Sequence, residues 1–250
     1  MDAPTFLDHR SPVSVRNEAG NSQIVLICEH ASNHVPAHLG RLGLPDATLA
    51  EHIAWDPGAL NTAEMLSDLL DATLVQANIS RLVLDINRKP DHPGSIVTLS
   101  ETTSIPGNVG LSDAQRAIRC QAIYEPFHAE LERVLAERQS SNPWVLSIHS
   151  FTPIYKGTRR PWHIGILHND DTRLSAPLID ALKMERDLVV GDNEPYAPTD
   201  GVYHTIERHT EPFGRAGVMI EIRNDLIADR QGQVEWALRL HGILAGMQIA

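Results

Sequence analysis

The sequence predicts an α/β fold, a three-layer sandwich in which helices cover both faces of a mixed, largely parallel central sheet. Apolar strand-like runs alternate with helix-like segments along the chain, the pattern of a sheet built through helical crossovers. The 250 residues contain no Pro/Gly/Ser-rich linker and no shift in composition. We therefore expect a single domain over residues 1–250, with residues 1–21 as a loosely ordered N-terminal segment.

Five apolar runs are predicted as strands. They are IVLIC (24–28), TLVQANIS (73–80), VLSIHS (145–150), HIGILH (163–168) and VMIEIR (218–223). Helices are predicted over 46–55, 58–70, 112–138, 174–183 and 233–247. The third helix begins with a capping box, in which Ser112 is followed three residues later by Gln115. Segments 88–110 and 191–201, rich in Pro, Gly and polar residues, are predicted as loops that carry the site beyond the strand ends.

Composition narrows the classes of partner. A formal net charge of −11 argues against a nucleic-acid partner, because phosphate binding depends on Lys and Arg. Neither a run of about 20 apolar residues nor the apolar core of a signal peptide is present, so we expect a cytoplasmic protein without a membrane partner. Two cysteines, Cys28 and Cys120, cannot form a disulfide framework. Thirteen histidines, in contrast, are more than packing requires.

Polar side chains follow several of these apolar runs at their carboxyl ends. Four segments end in imidazole, carboxylate, amide or guanidinium groups: Glu29 and His30; Asp85, Asn87 and Arg88, which close LVLDINR; His149; and Glu221 and Arg223. If the strands are neighbours in one sheet, these groups meet at one edge.

The converging residue types suit one chemistry. Two histidines and a carboxylate form a three-ligand Zn²⁺ site with an open position for water. A second carboxylate can act as general base, and an arginine beside an asparagine can hold a substrate carboxylate. The sequence therefore predicts metal-assisted hydrolysis of an amide in an acidic substrate. HExxH, HxxEH, GxSxG and P-loop motifs are absent from the sequence, so the enzyme classes that they mark are not indicated.

Six separated motifs resemble the N-formylglutamate amidohydrolase family. They are CEHASNHVP, HIAWDPGA, SRLVLDINR, SIHSF, NEPYAPTDGVYHTIERH and IEIRNDLI, within residues 22–228. The resemblance implies the phosphorylase/hydrolase-like sandwich shared with zinc carboxypeptidases and aspartoacylase. The best-studied members hydrolyse N-formyl-L-glutamate to formate and glutamate. The resemblance thus implies a Zn²⁺ cofactor and a small N-acyl amino acid as substrate. It implies a monomer or a small homo-oligomer.

Roles for individual residues follow from the resemblance. It implies His30 and His149 as zinc ligands and Glu221 as general base, with Asn87 and Arg88 binding the substrate carboxylate. The wider group begins its zinc site with His-x-x-Glu, whereas His30 is followed three residues later by Asn33. The carboxylate ligand must then come from elsewhere, with Asp56 the first choice and Glu29 the second. Further substrate-binding candidates are Arg81, Arg223, Tyr196 and His209.

Two alternatives to this function stay open at this point. The substrate could be another N-acyl amino acid or a peptide-like amide. The chain could instead be a non-catalytic protein that binds small acidic ligands on the same fold.

Overall fold

A seven-stranded mixed sheet lies at the centre of the computed structural model, which describes residues 3–247. The strands are β1 (Val13–Arg16), β2 (Ile24–Cys28), β3 (Thr73–Ala77), β4 (Leu99–Ser100), β5 (Thr103–Ser104), β6 (Trp144–Phe151), β7 (Ile154–Tyr155), β8 (Thr158–Arg159), β9 (Ile164–Leu167), β10 (Val190–Asp192) and β11 (Gly217–Arg223). The sheet order is β1-β3-β2-β6-β11-β9-β10, and β4–β5 and β7–β8 form two separate hairpins. Strands β3, β2, β6 and β11 run parallel, whereas β1 and β9 are antiparallel to β3 and β11. The predicted mixed, largely parallel sheet is confirmed.

Helices cover both faces of this sheet. They are α1 (Ala3–Phe6), α2 (Asp46–Leu49), α3 (Ala59–Leu70), α4 (Asp113–Arg119), α5 (Glu125–Glu137), α6 (Ser175–Lys183), α7 (His204–Thr210) and α8 (Arg230–Leu244). One buried cluster joins α5 to alternate residues of β2, such as Val25 and Ile27. A second cluster joins α3, α6 and α8 to the other face, which includes Leu26. Alternation along each strand thus supplies apolar side chains to two helical layers.

The long predicted helix over 112–138 contains a π-helical turn at Cys120–Tyr124, between α4 and α5. Pro126 follows this turn, and proline has no N–H to bond the carbonyl four residues earlier. A π turn absorbs that missing bond without ending the helix. The predicted capping box forms, since Ser112 Oγ accepts from the Gln115 amide at 3.3 Å.

Several boundaries differ from the sequence prediction. Residues 13–16 form the edge strand β1, so the expected loose order of the N-terminal segment is wrong there; residues 1–2 lie outside the described part of the chain. The predicted helix over 46–55 is only the single turn α2, after which the chain turns so that the Asp56 amide donates to the His30 carbonyl at 2.9 Å. Helix α7 and strand β10 were not predicted.

The apolar segment 82–86 is not a strand, although its composition resembles one. Its residues are buried beside the first cluster, but its carbonyls accept hydrogen bonds from side chains of other elements instead of a neighbouring strand. Asn108 Nδ2 donates to the Leu82 carbonyl at 2.8 Å, Arg119 donates to that of Val83 at 2.9 Å, and His128 Nε2 to that of Ile86 at 3.0 Å. Because buried carbonyls need partners, these three side chains allow an irregular segment to pack inside the protein.

Candidate metal and active site

The carboxyl ends of β2, β6 and β11 meet at one edge of the sheet. Glu221 on β11 is paired in register with His149 on β6, and Ile27 on β2 is paired with Ser147. Glu29, two residues after Ile27, therefore continues β2 toward the level of His149. A cavity of about 390 Å³ opens here, and its lining includes His149 and Glu221.

Two histidines and an aspartate form the centre of this site. His30, Asp56 and His149 are buried, and one ligand atom from each lies within 4.8 Å of the others. His149 Nδ1 is 2.7 Å from Asp56 Oδ2, and His30 Nδ1 is 3.4 Å from the same oxygen. Zinc with bonds of about 2.0–2.2 Å holds tetrahedral ligand atoms roughly 3.3–3.5 Å apart. The cluster therefore has the donor types of a site for one divalent ion. The 3.4 Å contact matches this spacing, whereas the 2.7 Å contact is a hydrogen bond that a bound ion would replace.

Each histidine contacts a further carboxylate through its other ring nitrogen. His30 Nε2 lies 2.8 Å from Asp85 Oδ1, and His149 Nε2 lies 3.0 Å from Glu29 Oε2. A metal-binding histidine commonly donates its remaining N–H to a carboxylate in this way, which fixes the ring and its tautomer. His30 Nδ1, in contrast, makes no hydrogen bond of good geometry among residues 3–247, and Asp56 Oδ2 lies 3.4 Å from it, so this buried nitrogen faces the cluster as a possible metal ligand. The residues present therefore fit a metal ion.

The charges around the cluster hold its carboxylates ionised. Burial alone would raise the pKa of Asp85, but His30 and the guanidinium of Arg81 hold it well below its usual range. Burial would likewise raise the pKa of Asp56, and the two imidazoles lower it instead. Arg81 is 2.9 Å from Asp85 Oδ2 and 3.4 Å from Asp56 Oδ1, so it braces both carboxylates.

Glu221 differs from these carboxylates. Its side chain lines the cavity and is buried, and its Oε2 lacks a hydrogen-bond partner within the described part of the chain. Burial raises the pKa of Glu221 to about 7, and the nearby Asp56 carboxylate acts in the same direction. A carboxylate with a pKa near neutrality can both accept and release a proton at physiological pH.

Asn87 and Arg88 also line the cavity and form one part of its wall. The Asn87 side chain donates to the Val202 carbonyl and accepts from the Thr205 amide at 2.9 Å, so it ties this wall to the start of α7. Arg88 Nε is 3.6 Å from Asp85 Oδ2, and Arg88 Nη1 makes long contacts of 3.3 and 3.4 Å with the Gly201 and Asp200 carbonyls.

The remaining sequence candidates fall into two groups. Tyr196 lines the cavity, and burial followed by the Glu221 charge raises the pKa of Tyr196 to about 12. The structure does not bring Arg223 or His209 to the cavity lining. Arg223 Nε pairs with Asp225 Oδ1 at 2.7 Å, although alternation along β11 places Arg223 on the same face as Glu221. His209 lies behind the site, where its Nε2 is 2.9 Å from His128 Nδ1.

Sequence reasoning missed some parts of the cavity. The resemblance implies no separate role for Asp85, yet its Oδ1 lies 2.8 Å from His30 Nε2. The two hairpins at the mouth were also missed. They place Glu101 and Lys156 in the lining. The only sequence sign of the second hairpin is the pair Lys156–Gly157 between short alternating runs, a weak turn pattern.

Every helix within residues 3–247 is too short or too polar to cross a membrane.

Comparison with known proteins gave consistent results. Residues 22–228 match the family described as N-formylglutamate amidohydrolase. The structure is similar to that of gene product Atu2144 from Agrobacterium tumefaciens, with a TM-score of 0.92, 44% identity and coverage of 94% of each chain. It shares its fold with N-formylglutamate amidohydrolase from Ralstonia eutropha JMP134, with a TM-score of 0.65, 19% identity and coverage of 94% of this chain and 96% of that one. No curated protein matches the chain. The family match includes the His30–Asp56–His149 cluster and Glu221, and we conclude that the chain belongs to the N-formylglutamate amidohydrolase family, whose name indicates enzymes that hydrolyse an amide bond.

Proposed function

We propose that the protein is a zinc-dependent amidohydrolase that removes a formyl-type acyl group from an acidic amino acid such as N-formyl-L-glutamate. The observation that carries this proposal is the position of Glu221. A buried carboxylate with an unpaired oxygen lies in register with His149, beside two imidazoles and Asp56 that fit a divalent ion.

His30, Asp56 and His149 would hold the ion. A bound Zn²⁺ supplies Lewis-acid polarisation of the amide carbonyl and lowers the pKa of water in the site. Glu29 and Asp85 orient the two imidazoles, so that the Nδ1 atoms of both rings are directed to the same side of the cluster.

Glu221 acts as the general base in this proposal. It takes a proton from the attacking water as the new C–O bond forms, and it passes that proton to the amide nitrogen as the C–N bond breaks. The products are formate and the free amino acid, and Glu221 returns to its starting state. A pKa near 7 suits both transfers, since it lies close to the working pH.

Arg88 binds the substrate α-carboxylate, and Asn87 positions the segment that carries it. Both side chains line the cavity, and the Asn87 amide is anchored to Val202 and Thr205. The fixed wall would hold the scissile amide in line with Glu221, which lowers the entropic part of the barrier. Arg81 also lines the cavity, but its two ion pairs leave it mainly to stabilise Asp56 and Asp85. Tyr196 closes the side next to Glu221.

The test measures zinc content and formate release for wild type and Glu221→Gln with N-formyl-L-glutamate. We expect the variant to keep stoichiometric zinc and to lose about 10²–10⁴-fold in kcat, because a general base contributes in that range. Glu235→Gln, on the exposed face of α8, is the matched control and should behave as wild type. Full activity of Glu221→Gln would refute the base assignment. A zinc-free wild type that hydrolyses the substrate equally well would refute metal dependence.

A further inference from the structure

Two short hairpins that stand apart from the central sheet contribute residues to the cavity lining, and Leu99 on the first of them is 59% exposed at the mouth. Glu101 lies at the turn of hairpin β4–β5, and Lys156 lies at the turn of hairpin β7–β8. Both side chains contribute to the cavity lining. The two turns therefore place one negative and one positive group at the entrance.

The acidic group at the mouth is already paired. Glu101 Oε1 lies 2.7 Å from His52 Nε2, and His52 also lines the cavity. Its carboxylate is therefore directed to a neighbouring side chain of the same lining.

The positive group differs from the other cations of the cavity. Arg81 is held by Asp56 and Asp85, and Arg88 lies 3.6 Å from Asp85. Lys156 has no acidic partner within the described residues, and its Nζ lies 5.2 Å from the Tyr155 ring centre. Among the described cations that line the cavity, Lys156 is the one whose charge is not compensated by a carboxylate of the protein.

The backbone at Lys156 is left-handed, as it is at Glu101 in the other turn. Lys156 and Gly157 have φ values of 49° and 81° at the two central positions of the turn. Two-residue turns with positive φ favour Asn or Gly at the first position, because a larger side chain is strained there. Turn formation therefore does not account for a lysine at this position. A role for its charge at the cavity does account for it.

Arg160 fixes the base of this hairpin. Its side chain is 7% exposed, and its guanidinium carbon lies 4.5 Å from the Tyr155 ring centre and 4.6 Å from that of Tyr196. Arg160 NH1 also donates to the Tyr196 hydroxyl at 2.9 Å. Since Tyr196 lines the cavity beside Glu221, this stack connects the Lys156 turn to the catalytic wall through rigid rings.

From these observations we propose that Lys156 is a specificity-determining residue, which binds the side-chain carboxylate of a dicarboxylic substrate. This inference rests on the proposed function. Arg88, on the wall that carries Asn87, would hold the α-carboxylate, and Lys156, at the mouth, would hold the side-chain carboxylate. A local cation is needed there, because the chain has a formal net charge of −11 and its overall field repels a dianion.

The test compares N-formyl-L-glutamate with N-formyl-L-glutamine, which has the same shape without the second charge. Lys156→Asn removes the positive charge but keeps a residue that tolerates positive φ. Lys156→Arg keeps the charge. Lys183→Asn, at the exposed end of α6 and outside the cavity lining, removes the same charge from the whole protein and serves as the control.

We expect Lys156→Asn to lower kcat/KM for N-formyl-L-glutamate about tenfold, mainly by raising KM, and to leave the value for the glutamine substrate within about twofold. The effect should shrink at high salt, since a partly exposed charge pair is screened. Lys156→Arg and Lys183→Asn should retain the wild-type preference. Equal losses on both substrates would assign Lys156 a structural role only and overturn the inference.

A binding measurement separates this inference from the proposed function. L-Glutamate and L-glutamine are titrated into the zinc-loaded protein, with and without Lys156→Asn, by calorimetry. Wild type could hydrolyse neither formyl substrate and yet bind L-glutamate more tightly than L-glutamine, with this difference lost in Lys156→Asn. In that case the proposed reaction fails, and the role of Lys156 in binding the second carboxylate stands. If wild type hydrolyses N-formyl-L-glutamate and Lys156→Asn changes neither selectivity, the inference fails and the reaction stands.

Discussion

Replacing Glu29 and Asp56 in turn tests which carboxylate belongs directly to the metal site. Glu29 Oε2 accepts from Ser147 Oγ at 2.6 Å and lies 3.0 Å from His149 Nε2, whereas Asp56 Oδ2 lies 2.7 Å from His149 Nδ1. The two carboxylates therefore contact opposite nitrogens of one ring. Only the Nδ1 side also faces His30. We therefore propose Asp56 as the ligand and Glu29 as the group that orients His149.

The expected magnitude follows from those contacts. Glu29→Gln removes a buried charge-assisted hydrogen bond to His149, which is worth about 1.5–3 kcal/mol. That range corresponds to roughly 10–100-fold in zinc affinity, as observed in general for groups that orient a metal ligand. Asp56→Asn removes the charge of the proposed ligand itself. The zinc affinity of this variant should therefore be at least about tenfold lower than that of Glu29→Gln.

Competition between the protein and a chromophoric chelator measures both affinities. Ser147→Ala is the milder control, because it removes the 2.6 Å contact to Glu29 but leaves the carboxylate in place. The reasoning would be refuted if Asp56→Asn bound zinc like wild type while Glu29→Gln did not bind it. That result would make Glu29 the ligand and reverse the assigned roles.

Three further predictions concern stability. Saturating Zn²⁺ at about 100 times its Kd should stabilise the wild type by about 2.7 kcal/mol, whereas Asp56→Asn at the same concentration should show a much smaller rise in Tm by calorimetry. Gly58→Ala should destabilise the protein by about 2 kcal/mol more than Gly110→Ala in urea unfolding. Both glycines have positive φ, but only at Gly58 would an added Cβ lie 2.2 Å from a backbone oxygen, the carbonyl of Ile227. Equal losses of stability in the two variants would contradict this prediction. Burial, followed by the neighbouring His209 charge, lowers the pKa of His128 to about 2, so the unfolded chain binds a proton below about pH 6.5 that the folded chain does not. The free energy of unfolding should therefore decrease as the pH is lowered. Between about pH 7 and pH 5, wild type should lose about 2 kcal/mol more than His128→Gln, measured by unfolding at both pH values; parallel pH curves for the two proteins would contradict this prediction.

Much of the fold and the centre of the site could be predicted from the sequence. The run Ile24–Cys28 is apolar throughout because both faces of β2 are covered, and that pattern identifies a central strand. Since parallel strands end at one edge, the polar residues after β2 and within β6 and β11 were expected to converge. His30 and His149 do meet with Asp56, a residue that came from the family resemblance and not from periodicity.

The segment 82–86 could not be predicted, because a buried irregular segment and a buried strand have the same composition. The difference lies in distant side chains, Asn108, Arg119 and His128, which satisfy its carbonyls. A similar limit applies to Arg223. Alternation places it on the same face as Glu221, but the nearby Asp225 and the Trp162 carbonyl hold its guanidinium.

The hairpins at the mouth were beyond sequence reasoning for another reason. Strands β7 and β8 have two residues each, and Ile154 at their start is 58% exposed. Such short, exposed segments carry neither a buried face nor a periodicity that could mark them as strands.

The separation of these hairpins from the seven-stranded sheet has an evolutionary consequence. Neither hairpin pairs with the central sheet, whose strands β2, β6 and β11 carry Glu29, His149 and Glu221 at or just beyond their carboxyl ends. Exposed turns tolerate insertions and exchanges that a packed core does not. Descendants of one ancestral scaffold can thus acquire new substrate preferences by remodelling the entrance alone, while the inherited reaction chemistry passes on unaltered.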